Sequence, residues 1–118
     1  MSAELIDGKA VAAEIDAKAA EAAAGLAKSL GRVPCLAVVL IGDDPASDVY
    51  VRNKGLRTQA AGMRSIEIRK PADTSEADVL EIVAGLNADD GVDGILVQMP
   101  LPDHIGANRV IGAIHPDK

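Results

Sequence analysis

The chain has 118 residues, of which 48% are hydrophobic and 25% charged, so it is sized and composed for one globular domain with an aliphatic core. Its net charge of −6 excludes the basic field that nucleic acid or an anionic membrane surface requires, while leaving room for an acidic small molecule held by local cations. One cysteine excludes an internal disulfide, and the longest apolar run, Cys35 to Ile41, is far short of a membrane span.

The N-terminal region carries Glu4, Asp7, Glu14 and Asp16, which fits neither a signal peptide nor a basic transit peptide. A cytoplasmic protein is therefore expected. Asp7-Gly8-Lys9 opens an Ala-rich segment that reaches Leu30 and stops at Gly31. Its apolar residues Val11, Ile15, Ala19, Ala22 and Leu26 recur at helical spacing. Pro34 introduces Cys35 to Ile41, a continuous apolar run that predicts a strand covered on both faces, with Cys35 as a reduced, buried thiol.

A second helix is predicted from Asp44, as N-cap, with Pro45 in the first turn and Gly62 as the stop. Val49, Leu56, Ala60 and Met63 read as its core stripe. Ser47, Tyr50, Lys54 and Arg57 then fall on another face, roughly 120° away by the 3.6-residue period. Ser65 to Arg69 alternates polar and apolar and predicts an edge strand. Thr74 to Asp78 carries helix-start signals ahead of Val79, Val83 and Leu86. Gly94 to Gln98 predicts another strand of buried type, ended by Met99-Pro100-Leu101-Pro102, and a short helix is expected over 106–114.

Helices and strands thus alternate, which predicts an α/β fold: a three-layer α/β/α domain with a mostly parallel sheet. The simplest right-handed arrangement puts the strand at Ser65 on one side of the strand at Cys35 and the strand at Gly94 on the other. An open crevice then forms at the carboxyl ends of the first and third strands, and both the Gly42–Lys54 segment and Gln98–Leu101 emerge there.

Tyr50 is the sole aromatic residue and stands one helical turn before Lys54. The pair suits a planar ligand that is stacked upon and exchanges a proton. For that chemistry near neutral pH the lysine amine has to be partly desolvated. The competing reading is a half-exposed ring beside a solvated lysine. Gln98, a polar amide closing an apolar strand, either satisfies backbone groups or holds the Lys54 amine. Asp43 and Asp44 after a strand occur in phospho-receiver domains, but the third strand here ends in Gln98 rather than an acceptor Asp, and helix capping explains Asp44. His104 and His115 lack metal-pair spacing, and no metal is expected. No Gly-x-Gly-x-x-Gly or Walker motif occurs.

Two stretches carry a resemblance. Val39-Leu40-Ile41-Gly42-Asp43-Asp44-Pro45-Ala46-Ser47 with Tyr50-Val51-Arg52-Asn53-Lys54, and Asp93-Gly94-Ile95-Leu96-Val97-Gln98-Met99-Pro100-Leu101-Pro102, resemble the two signatures of the bifunctional methylenetetrahydrofolate dehydrogenase/cyclohydrolase (FolD) family. Ile6-Asp7-Gly8-Lys9 and Ile114-His115-Pro116-Asp117-Lys118 fit the same pattern. The resemblance implies NADP-dependent oxidation of 5,10-methylene-tetrahydrofolate and hydrolysis of the methenyl product to 10-formyl-tetrahydrofolate. It implies Lys54 as the essential lysine, Tyr50 as the ring stacked on folate, and Gln98 as the amide that orients the lysine. Ser47, Val97, Pro100 and Leu101 would join them in lining the folate pocket. It further implies that 1–118 is the folate-binding catalytic domain, that a Rossmann domain outside this chain binds NADP, and that the parent enzyme is a homodimer. A non-catalytic folate-binding or assembly module of the same fold is the alternative. The chain departs from the family at Leu56, where a second lysine is common, and at Gly55 within the helix.

Overall fold

The computed structural model describes residues 2–118. Seven elements follow in order: α1 (Gly8–Leu30), β1 (Cys35–Ile41), α2 (Pro45–Ala60), β2 (Arg64–Lys70), α3 (Glu76–Ala88), β3 (Gly94–Val97) and α4 (Ala107–Ala113). The strands form one parallel sheet in the order β2-β1-β3. The α/β class, the strand order and the switch point between β1 and β3 are as the sequence predicts.

Side-chain alternation along β1 builds the two halves of the core. Cys35, Ala37, Val39 and Ile41 face one way and pack with Val79, Val83 and Leu86 of α3 and Val110 of α4. Val38 and Leu40 face the other way and pack with Val51 of α2. Helices therefore cover both faces, and β1, buried along almost its whole length, sits in the middle. At its amino end Asp93 locks β1 to β3: its carboxylate accepts the Cys35 amide at 2.8 Å and the Arg32 guanidinium at 2.7 and 2.9 Å. At its carboxyl end Gly42 takes φ +94°, a conformation open to glycine, and its amide donates to Lys70 at 2.8 Å. That turn aims the chain into α2 above the sheet.

Three packing details differ from the sequence reading. Within α2 the buried residues are Ser47, Val51 and Thr58, whereas Val49 and Leu56 are 52% and 58% exposed. Helical spacing alone allows either face. The short, hydrogen-bonded hydroxyls of Ser47 and Thr58 let the helix approach the sheet, so the polar-looking face is the inner one. In α1, Ala23 is buried between half-buried Ala19 and Ala27, while Val11, Ile15 and Leu26 stay largely exposed. An alanine face permits close approach, and nothing among the described residues covers the larger side chains. β3 buries alternate residues, Ile95 and Val97, and leaves Gly94 and Leu96 half-buried, because it is a sheet edge among the described residues.

Candidate active site

The helix that carries the candidate site starts where the sequence places it. Asp44 is its N-cap and accepts the Ser47 amide at 3.0 Å, with Pro45 in the first turn. One and two turns on, this start delivers Val51 to the core and Lys54 to the open end of the sheet. Thr58, buried, donates its hydroxyl to the Lys54 carbonyl at 2.6 Å and steadies the backbone next to Gly55.

Gln98 follows β3 directly, and its amide donates to Val39 of β1 at 2.9 Å. The side chain makes two bonds. Its Oε1 accepts from Lys54 Nζ at 2.6 Å, and its Nε2 donates to the Met99 carbonyl at 3.1 Å. The same carbonyl accepts from Ser47 Oγ at 3.1 Å. The direction of the Gln98 amide follows from its neighbours. A lysine amine only donates and a peptide carbonyl only accepts, so the reversed amide would set donor against donor and acceptor against acceptor. Gln98 is neutral and orients the amine without adding a counter-charge.

Tyr50 lies on the outer side of this group, 57% exposed, with Lys54 Nζ 5.5 Å from its ring centroid. Beyond the Met99–Pro100 peptide, which is cis, Pro100, Leu101 and Pro102 face Gly42, Asp43, Asp44 and Ala72 across an open groove of about 260 Å³. Lys54, Gln98, Ser47 and Tyr50 are thus brought together. Pro100 and Leu101 line the adjoining groove, and Val97 is buried in the sheet below it. A larger cavity of about 280 Å³ lies on the opposite flank of α2, between Arg52, Leu56 and Glu67, away from this cluster.

Sequence reasoning missed that Ser47 is inward-facing and spends its hydroxyl on the Met99 carbonyl. The one available signal was a serine in the first turn of a helix otherwise followed by Val51 and Thr58. It also missed the ties that hold the far end of the Met99–Gly106 loop, for which the sequence carries no signal.

The chain as a whole has counterparts among known proteins. Residues 6–118 match the catalytic-domain family described as tetrahydrofolate dehydrogenase/cyclohydrolase. The chain belongs to this family. A bifunctional protein FolD of Maricaulis maris is 74% identical over 118 residues, all of this chain and 40% of that protein, and one of Erythrobacter litoralis is 55% identical over the same span. Among solved structures, a 5,10-methylenetetrahydrofolate dehydrogenase of the silkworm Bombyx mori superposes with a TM-score of 0.91 at 42% identity, covering 98% of this chain and 40% of that one. A dehydrogenase-cyclohydrolase of Trypanosoma brucei, solved with NADP cofactor and an inhibitor, gives 0.90 at 34% identity and the same coverage. The chain spans about 40% of the length of the curated relatives it matches.

Proposed function

We propose that this chain is the folate-binding catalytic domain of an enzyme that oxidises 5,10-methylene-tetrahydrofolate with NADP and hydrolyses the 5,10-methenyl product to 10-formyl-tetrahydrofolate. The observation that carries this reading is the 2.6 Å bond between Lys54 and Gln98, with the Tyr50 ring beside it, at the carboxyl end of a parallel sheet. Ligands of open α/β sheets bind at such switch points.

In hydrolysis, water adds to the methenyl carbon between N5 and N10 and loses a proton, giving a tetrahedral intermediate. That intermediate breaks its bond to N5, which takes up a proton as the hydroxyl gives up its own to become the formyl carbonyl, and the formyl group stays on N10. Lys54 is the proton carrier in both transfers, work typically worth about 10²–10⁴-fold. Gln98 holds the amine at the reacting edge. Tyr50 offers an exposed face for the planar part of the substrate to stack on. Pro100 and Leu101, stiffened by Pro102, form the wall against which it rests.

NADP itself does not fit the described residues. The turn from β1 into α2 resembles the place where a dinucleotide's pyrophosphate is bound, but it carries the carboxylates of Asp43 and Asp44, which repel phosphate. In keeping with the family resemblance, the dinucleotide is assigned in this proposal to a Rossmann domain outside residues 1–118, and the oxidation step is not assigned to groups of this chain. A homodimeric, cytoplasmic parent enzyme completes the proposal. No helix among the described residues is long and apolar enough to cross a membrane.

The test is calorimetric titration of the intact parent enzyme with a folate analogue, paired with an absorbance assay of methenyl-tetrahydrofolate hydrolysis. Binding together with turnover is expected. Binding without turnover would instead mark a non-catalytic folate module.

A further inference from the structure

The loop from Met99 to Gly106 is pinned at both ends. At the near end the Met99 carbonyl takes bonds from Ser47 and Gln98. At the far end the Gly106 amide donates to Glu76 Oε1 at 2.6 Å, and His104 Nε2 lies 2.7 Å from the Thr74 carbonyl. Between them the Ile105 side chain is buried in the core. Glu76 stands in the first turn of α3 yet serves the backbone just ahead of α4, and Gly106 provides no side-chain cap of its own. Arg109 grips the same carboxylate, with Nη2 2.9 Å and Nε 3.1 Å from Oε1 and Nε 3.2 Å from Oε2. The Arg109 guanidinium and, next, the Gly106 amide hold the Glu76 carboxyl below its ordinary pKa.

These ties join the two walls of the groove. One wall includes Ala72, in the turn that Thr74 closes by donating its hydroxyl and its amide to the Pro71 carbonyl. The other is Pro100 to Pro102. Thr74–His104 and Glu76–Gly106 are the bonds that bridge from one to the other. We propose that Glu76 and Arg109 act as a clamp that sets the width of the groove, and so are positioning residues for the folate bound there.

This inference rests on the folate reading above. Neither residue reaches Lys54 or Gln98, whose placement is secured from the near end by Ser47 and Met99. Freeing the far end therefore weakens substrate binding and leaves the proton-transfer pair in place. Such a loss raises KM with kcat unchanged.

The test uses the full-length parent enzyme and steady-state hydrolysis of methenyl-tetrahydrofolate. Glu76→Ala is expected to raise KM about tenfold, the effect of one 1.4 kcal/mol step in binding, with kcat within about twofold of wild type. Arg109→Met should give a smaller rise that Arg109→Lys largely recovers. Gly106→Ala supplies an independent probe, because its methyl carbon would lie 2.8–2.9 Å from the Arg109 guanidinium and displace it without altering either charge. Glu76→Ala combined with Arg109→Met should be no worse than Glu76→Ala alone. An unchanged KM in Glu76→Ala, or a kcat that falls as far as KM rises, overturns the clamp. If Glu76→Ala does not fold, the Arg109 and Gly106 variants decide by the same criterion. Lys54→Met assayed alongside separates the two ideas: turnover retained there overturns the catalytic reading, while the KM series still reports on the groove.

Discussion

Gln98 and Lys54 are 44 positions apart in the chain and 2.6 Å apart in space, amide oxygen to amine. One directly follows a strand and the other stands midway along a helix. The bond exists because β1 holds both elements: Gln98 through the Val39 carbonyl, and α2 through Val51 packed on Val38 and Leu40.

Replacing Lys54 by Met keeps the length of the side chain and removes the amine. Hydrolysis of methenyl-tetrahydrofolate by the parent enzyme should fall about 10²–10⁴-fold. Thermal stability should hardly move, because Gln98 is partly exposed and its freed oxygen can turn to water. Absorbance decay of the methenyl compound, beside a melting curve, measures both.

Gln98→Glu preserves shape but sets a carboxylate beside the Lys54 ammonium. An adjacent opposite charge favours the protonated amine. Hydrolysis should therefore drop, and its pH profile should move to higher pH. A profile unchanged from wild type would separate Lys54 from the proton transfer.

Ser47→Ala removes one of two donors to the Met99 carbonyl. A net loss of about 1 kcal/mol in stability is expected, as for a typical buried hydrogen bond. Since Ser47 and Gln98 share that carbonyl, the effects of Ser47→Ala and Gln98→Leu on turnover should be less than additive in a double-mutant cycle.

Gly55→Ala should stabilise the fold by about 0.5–1 kcal/mol, the ordinary advantage of alanine inside a helix. The added methyl meets only Ser65 Oγ, at 3.6 Å, an ordinary contact. A higher urea midpoint at unchanged slope is the readout.

Asp93 governs part of the acid response. The Arg32 hydrogen bonds lower its pKa from 3.8 to about 2, against a smaller opposing effect of burial. A carboxyl depressed in the folded state contributes stability above its unfolded pKa and loses it as pH falls toward the folded value. Wild type should accordingly weaken between about pH 4 and pH 2 more steeply than Asp93→Asn, whose side chain does not titrate; urea midpoints across that range give the comparison. In urea unfolding at mildly alkaline pH, where an exposed thiol ionises, Cys35 should become open to thiol reagents. It is buried in the fold, and burial raises its pKa.

Much of this molecule is written locally. Asp7, Gly31, Asp44, Pro45, Ser75 and Gly62 are capping and stop signals acting over three or four residues, and each does in the structure what its type predicts. The apolar run at Cys35 placed the central strand for the same reason: a segment buried on both faces has no polar positions to alternate. The strand order and the crevice follow from element order and the handedness of parallel connections. Side-chain facing was harder to read. On α2 the hydrophobic stripe through Val49 and Leu56 points to solvent, and the inner face is Ser47, Val51 and Thr58. Periodicity reports how residues group around a helix, but which group turns inward depends on the neighbour it meets and on whether buried hydroxyls find acceptors there. The Met99 carbonyl accepts from Ser47, and the Lys54 carbonyl from Thr58. The Met99 acceptor, like the Lys54–Gln98 bond, is in place only once α2, β1 and β3 are assembled, and the Glu76–Arg109 clamp needs α3 and α4 side by side. Thr58, by contrast, bonds one turn back within its own helix. Short-range sterics and capping determined the elements; long-range hydrogen bonding and packing decided what the site became.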